Sequence, residues 1–382
     1  MEAERWIILR LPSDLASSTT HRMSPEAAAQ ATIHAENVSM SSIADVIEDP
    51  ATLEAAPDMP TELIRPFAGT GTAGGDAWGV QAVGADASSY DGSGVKVAVL
   101  DTGIDVSHPC FDGMSIIQRD FTGAGNGDVV GHGTHCAGTI FGRDVGGRVG
   151  IARGVREAYA GKVLGDDGRG TALMASRGIR WAAEQGANII SLSLGFDTPG
   201  FVAKLVEKGW PPKLAAARGL DGYRRNIRLF DRQISLLAAQ ADHGQQVLVV
   251  AASGNESDRG ANPNFRIPAS LPAAADGVLS TGALGRSAAG LRVADFSNSL
   301  PILCAPGVDI RSAWPGGGFK TLRGTSMACP HVAGVAALWW QSLGPAATAE
   351  FVRARMLGAT RTTDLAAGFD HTDVGLGLVR AP

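Results

Sequence analysis

The chain has 382 residues, a formal net charge of −5 at pH 7, 45% hydrophobic residues and 19% charged ones. This balance excludes wholesale disorder and gives no electrostatic reason to expect nucleic acid as a partner. The length is enough for one large core or two modest ones, and no run of about 18 apolar residues predicts a membrane span.

Four cysteines, Cys110, Cys136, Cys304 and Cys329, are scattered and show no CxxC pair, so reduced thiols are expected. The opening MEAERWIILRL is acidic with a short apolar run and makes a poor secretory signal. A cytoplasmic location is the simplest expectation, and export by a route not visible in the sequence is the alternative.

In chain order, WIILRL reads as a strand and SPEAAAQATIHAEN as a helix, with Ser24 as N-cap and Pro25 at its first position. Acidic, proline-bearing text follows, then the glycine-rich AGTGTAGGDAWG, which predicts a boundary between Phe67 and Trp78. The expected division is a 1–75 extension and a 76–382 catalytic domain. Beyond it, strand-like VKVAVLD, AYAGKVL, ANIISLSLG and QQVLVVAASGN alternate with helical stretches. That alternation, with strands apolar on both faces, predicts an α/β fold: a doubly wound, mostly parallel central sheet with helices on both faces. Functional residues in such sheets sit at the carboxyl ends of strands, where Asp101, Ser193 and Asn255 fall.

Three motifs carry the parts that amide hydrolysis needs. In VAVLDTGID, Asp101 closes a buried strand, where a carboxylate can orient an imidazole. In GHGTHCAGT, His132 stands between glycines at a helix start, and in GTSMACPHVAG, Ser326 stands at the entry to an apolar helix. These three, in the order Asp, His, Ser, with AASGNE, FSN, CAPG and the terminal GLGLV, closely resemble the subtilisin-like serine proteases from about Trp78 onward.

The resemblance implies a serine endopeptidase with an Asp101–His132–Ser326 triad and Asn255 as the oxyanion side chain. It also implies that Ser193, Leu194 and Gly195, together with Ala252, Ser253 and Gly254, flank the substrate, which joins as an added strand. Polypeptide is then the expected substrate; oligomeric state is open. His135 and His331 match structural positions. Cys136 resembles the thiol of the proteinase K-like branch and is expected to be a buried thiol, not a nucleophile.

Several features depart from the family. Residues around 197–225 are an insertion, read either as a solvated loop with a longer helix or as a basic specificity rim. Arg266, counted from Asn255, falls at the floor of the P1 pocket, where a guanidinium would favour an acidic or small side chain; the alternative is that it turns outward to solvent. No cofactor is chemically required. Calcium, common in relatives near the HP motif and in the loop after the histidine helix, is not supported, because SHPCFDG carries Cys110 and FGRDVGGRVG carries arginines. For residues 1–75, an inhibitory prosegment and an accessory extension fit equally. Two rival readings remain: an esterase, whose serine would come first in a GxSxG turn, and a non-catalytic peptide-binding protein on a protease scaffold.

Overall fold

A computed structural model describes residues 3–12, 15, 24–39, 41–69, 77–240 and 246–382. The N-terminal part builds β1 (Glu4–Arg10), α1 (Pro25–Gln30), β2 (Thr32–Val38), α2 (Ile43–Glu48), β3 (Thr52–Pro57), β4 (Pro60–Leu63) and β5 (Phe67–Ala68). The expected helix of residues 24–37 stops early. Ser24 caps α1 by accepting from the Ala27 amide, but the stretch from Thr32 pairs antiparallel along the whole of β1. β-Branched Thr32 and Ile33 suit that pleated partner better than another helical turn. The sheet order is β2-β1-β3.

The larger part begins with α3 (Trp78–Ala82), β6 (Lys96–Asp101), β7 (Ser115–Asp120), α4 (His132–Phe141), β8 (Glu157–Lys162) and β9 (Arg169–Thr171). It continues with α5 (Ala172–Glu184), β10 (Ile189–Leu192), β11 (Leu194–Phe196), α6 (Thr198–Glu207), α7 (Pro212–Ala239) and β12 (Leu248–Ala252). The last elements are β13 (Leu279–Ser287), β14 (Gly290–Val293), β15 (Leu303–Pro306), β16 (Ile310–Trp314), β17 (Gly318–Arg323), α8 (Thr325–Leu343), α9 (Ala349–Gly358) and α10 (His371–Val374). The central sheet runs β14-β13-β12-β10-β6-β8-β7, with β15 also on β13; only the β13–β14 pair is antiparallel. Its strands are apolar on both faces because one face packs on α4 and α8 and the other on α5 and α7.

The expected insertion is two helices, α6 and α7, and they form a seat for the N-terminal sheet. Ile7 and Leu9 join the same buried cluster as Leu229 and Phe230 of α7. Each such fully buried side chain contributes roughly 1.5–3 kcal/mol. Gly222 lets the chain approach closely: a methyl there would lie 3.0 Å from Met59 Sδ and 3.3 Å from Pro57 Cγ. One turn on, Asn226 donates to the Pro57 carbonyl at 3.0 Å. Arg218 pairs with Glu4 and, like Arg225, lies over the Trp6 ring. The basic residues at 218 and 225 thus face the N-terminal sheet rather than forming a free rim. Of the predicted linker at 68–79, residues 70–76 lie outside the described residues.

Candidate active site

Asp101 ends β6, and its buried carboxylate accepts from the Thr102 amide at 2.8 Å. A carboxylate only accepts, so His132 donates from Nδ1, at 2.8 Å to one oxygen and 3.0 Å to the other. This fixes the tautomer that leaves Nε2 free to take a proton. Asp128, which the sequence reading passed over, builds the floor beneath. It accepts from Thr102 Oγ1 (2.8 Å), the Gly131 amide (2.7 Å), and the Thr134 amide and hydroxyl (2.9 and 2.6 Å). It ties the Asp101 turn to the first turn of α4. Burial raises its pKa, against the hydrogen bonds that lower it. Gly131, at φ 92°, makes the left-handed entry to that helix.

Ser326 is buried in the first turn of α8. Pro330 lies four residues later and has no N–H, so the Ser326 carbonyl lacks its helical partner. That carbonyl instead accepts from the Cys136 thiol (3.4 Å) and the Ser193 hydroxyl (3.5 Å). Cys136 also lies 3.9 Å from His132 Nδ1, and burial pushes its thiol well above the ordinary range, so it is a protonated donor. Asn255 is held by its oxygen, which accepts from the Thr325 amide and hydroxyl, both at 2.9 Å. Its Nδ2 is thereby aimed into the cleft. Asn298, fully buried, braces this loop by accepting from the Glu256 and Ser257 amides and donating to the Ser253 carbonyl. Gly254 (φ 115°) leaves no room for a side chain, since a methyl there would meet Asn298 Nδ2 at 2.3 Å.

The cleft is filled by the chain itself. β4 lies between β11 and β9, antiparallel to both, pairing Leu194 with Leu63, Gly195 with Glu62 and Phe196 with Thr61. The next residues form a strap across Ser326 and Asn255. Ser326 Oγ donates to the Ile64 carbonyl at 3.2 Å, and Asn255 Nδ2 donates to the Arg65 carbonyl at 3.1 Å. Beyond Pro66, β5 pairs antiparallel with β17. Among the described residues the buried His132 Nε2 has no hydrogen-bond partner, because the serine hydroxyl is turned to the strap.

Of the residues expected from sequence, Asp101, His132, Cys136, Ser193, Ser326 and Asn255 thus come together. Leu194 and Gly195 line one side of the strap. Ala252, Ser253 and Gly254 lead into the Asn255 loop, and the Ser253 carbonyl accepts from the Ser270 amide at 3.1 Å. Arg266 does not floor the pocket. Its guanidinium pairs with Asp370 (2.6 Å) and Asp373 (3.3 Å), and this carboxylate pair draws it away; Ser270 is the residue that approaches Gly195. His135 and His331 are buried, bonded to backbone carbonyls, and pushed by burial down to about 3 and about 4.

In the loop after α4, the backbone oxygens that a calcium ion would need already accept from arginines. The carbonyls of Gly150, Ile151 and Ala85 accept from Arg148 at 2.8, 3.0 and 3.5 Å, and those of Arg153 and Val155 accept from Arg143. Calcium wants about six to eight oxygens. Here guanidinium groups face them, and in the HP segment Cys110 presents a thiol that burial pushes up to about 11. The residues do not fit the ion.

The family model described as Subtilase family matches residues 92–377. The chain is 37% identical over 269 residues to subtilisin BL of Lederbergia lenta, covering 68% of this chain and 82% of that protein. It is 31% identical over 309 residues to subtilisin DY of Bacillus licheniformis, covering 79% and 96%. With M-protease of Shouchella clausii (strain KSM-K16) the identity is 36%, covering 68% of this chain and 58% of that protein.

Proposed function

We propose, since the chain belongs to the subtilase family and is a subtilisin-like serine endopeptidase, that it cuts extended polypeptide through an acyl-enzyme formed on Ser326. His132 Nε2 takes the hydroxyl proton as Oγ attacks the carbonyl carbon, and Asp101 steadies the imidazolium that forms. The negative oxygen moves toward Asn255 Nδ2 and the Ser326 amide at the positive end of α8. Collapse expels the amine with the proton from His132, and water then cleaves the ester with His132 as base again.

The observation that carries this reading is a peptide strand lying across the catalytic groups, its successive carbonyls on Ser326 Oγ and Asn255 Nδ2. It also supports a role for the 1–75 extension as an intramolecular inhibitor, with β1 and β3 seated against α7 and β4 lying in the groove. Calcium is not proposed; Arg148 and Arg143 supply the cationic donors in its loop. The test is hydrolysis of unfolded casein by Ile64→Lys, which loosens the strap, and by the same protein carrying Ser326→Ala. New α-amines should appear with the first and be absent with the second. Equal release by both would overturn the assignment.

A further inference from the structure

We infer that the groove selects an aliphatic side chain, of the size and branching of isoleucine or valine, on the residue whose carbonyl meets Ser326, and that Gly195 and Ser270 set this preference. The inference rests on the endopeptidase reading above and names its substrate class.

The strap enters the groove as an added strand in a register fixed by β11 and β9, so its side chains fall where those of a bound peptide would. Their environments differ. Thr61 and Ile64 are buried, Glu62 and Leu63 are half-buried, and Arg65 is exposed. The residue at the nucleophile is therefore the apolar Ile64, at 3% exposure, while the neighbouring arginine stays in water.

The wall that receives Ile64 is described by Gly195. A methyl added there would lie 3.4 Å from Ile64 Cγ1, 3.9 Å from its Cδ1 and 3.6 Å from Ser270 Oγ. The branched side chain thus occupies space that the glycine leaves open, beside the serine hydroxyl. Neither wall residue carries charge. An aspartate placed there would lose water with no cation on either wall residue, and the Glu256 carboxylate beside Gly254, the anion a lysine would seek, already accepts from Asn298 Nδ2 at 2.6 Å. Arg266, the cation that sequence counting put in this pocket, is held by Asp370 and Asp373 instead.

The test uses the full-length chain and the rate at which Ser326 is covalently modified by Thr-Glu-Leu-Xaa peptidyl phosphonates, with Xaa the valine, phenylalanine, lysine, aspartate or alanine analogue. The strap competes with every probe alike, so rate ratios report the pocket. The valine probe should react at least about tenfold faster than the lysine, aspartate and phenylalanine probes, the scale on which hydrophobic pockets discriminate. Equal rates, or a faster charged or aromatic probe, would overturn the inference while leaving the endopeptidase reading intact. Failure of a plain fluorophosphonate to label Ser326 even in the strap-loosened Ile64→Lys protein would instead remove both. In Ser270→Leu, which fills the same space, the alanine-to-valine rate ratio should rise about tenfold or more; an unchanged ratio would remove Ser270 from the pocket wall.

Discussion

Ser326 Oγ donates its hydrogen to the carbonyl of Ile64, 3.2 Å away and 262 residues earlier in the chain. The hydroxyl is thereby committed to the strap, and among the described residues the buried His132 Nε2 has no hydrogen-bond partner. The two groups proposed as nucleophile and base are therefore not hydrogen-bonded to each other in this arrangement.

Loosening the strap should therefore unmask the serine. Ile64→Lys puts a charge into a buried site, and Arg218→Ala removes the ion pair to Glu4 and the stack on Trp6. Fluorophosphonate labelling of Ser326 should speed up about tenfold or more in Ile64→Lys and less in Arg218→Ala, and stay within about twofold in Ile64→Val. Stopped labelling reactions read by intact mass measure this directly.

Asn255→Ala should cost roughly 10²–10³ in kcat, the loss known for the corresponding oxyanion donor of a subtilisin. Because the contact strengthens as negative charge develops, KM should change little. Steady-state kinetics on a valine-containing peptide, in a strap-weakened background, checks the split.

Chelation should leave the melting temperature unchanged, since Arg148 already engages the Gly150, Ile151 and Ala85 carbonyls. Arg148→Met should lower stability by about 1–3 kcal/mol, because buried carbonyls lose their donor. A melting temperature that falls on adding chelator to the parent would show a bound metal after all.

Acid should destabilise the fold partly through His331, which burial holds down to about 4 against an ordinary 6.5. Between those values the unfolded chain binds the proton and the folded one does not, so stability falls as pH drops from about 6.5 to 4. The loss from this group is on the order of 3 kcal/mol once complete. His135, held down to about 3, acts in the same direction. Denaturant titrations of Ser326→Ala at pH 7 and 5 should show this slope, and His331→Gln in that background should flatten it.

The placement of Asp101, His132, Ser326 and Asn255 was legible because each sits in a local stretch whose neighbours are dictated by the same geometry: glycines at the turns around His132, a strand end at Asp101, a helix entry at Ser326. The parallel sheet was legible from doubly apolar strands. What was not legible depends on distant partners. PTELIRP carries no motif, and becomes a strand only because β9 and β11 present open edges to it. Arg266 was placed by counting from Asn255, which cannot see that Asp370 and Asp373, more than a hundred residues later, capture it. Ser270 enters the pocket wall only in space. Asp128, in the turn-like text GNGDVVGHG, could have been suspected from a carboxylate so near the histidine motif, but its four donors come from Thr102, Gly131 and Thr134 together.

The most direct measurement is to treat Ile64→Lys with a fluorophosphonate and map the adduct by peptide mass spectrometry, alongside the same protein carrying His132→Ala. The adduct should fall on Ser326 alone and form at least about a thousandfold more slowly without the imidazole. An adduct on another residue, or equal rates with and without His132, would contradict the assignment of these groups to one catalytic row.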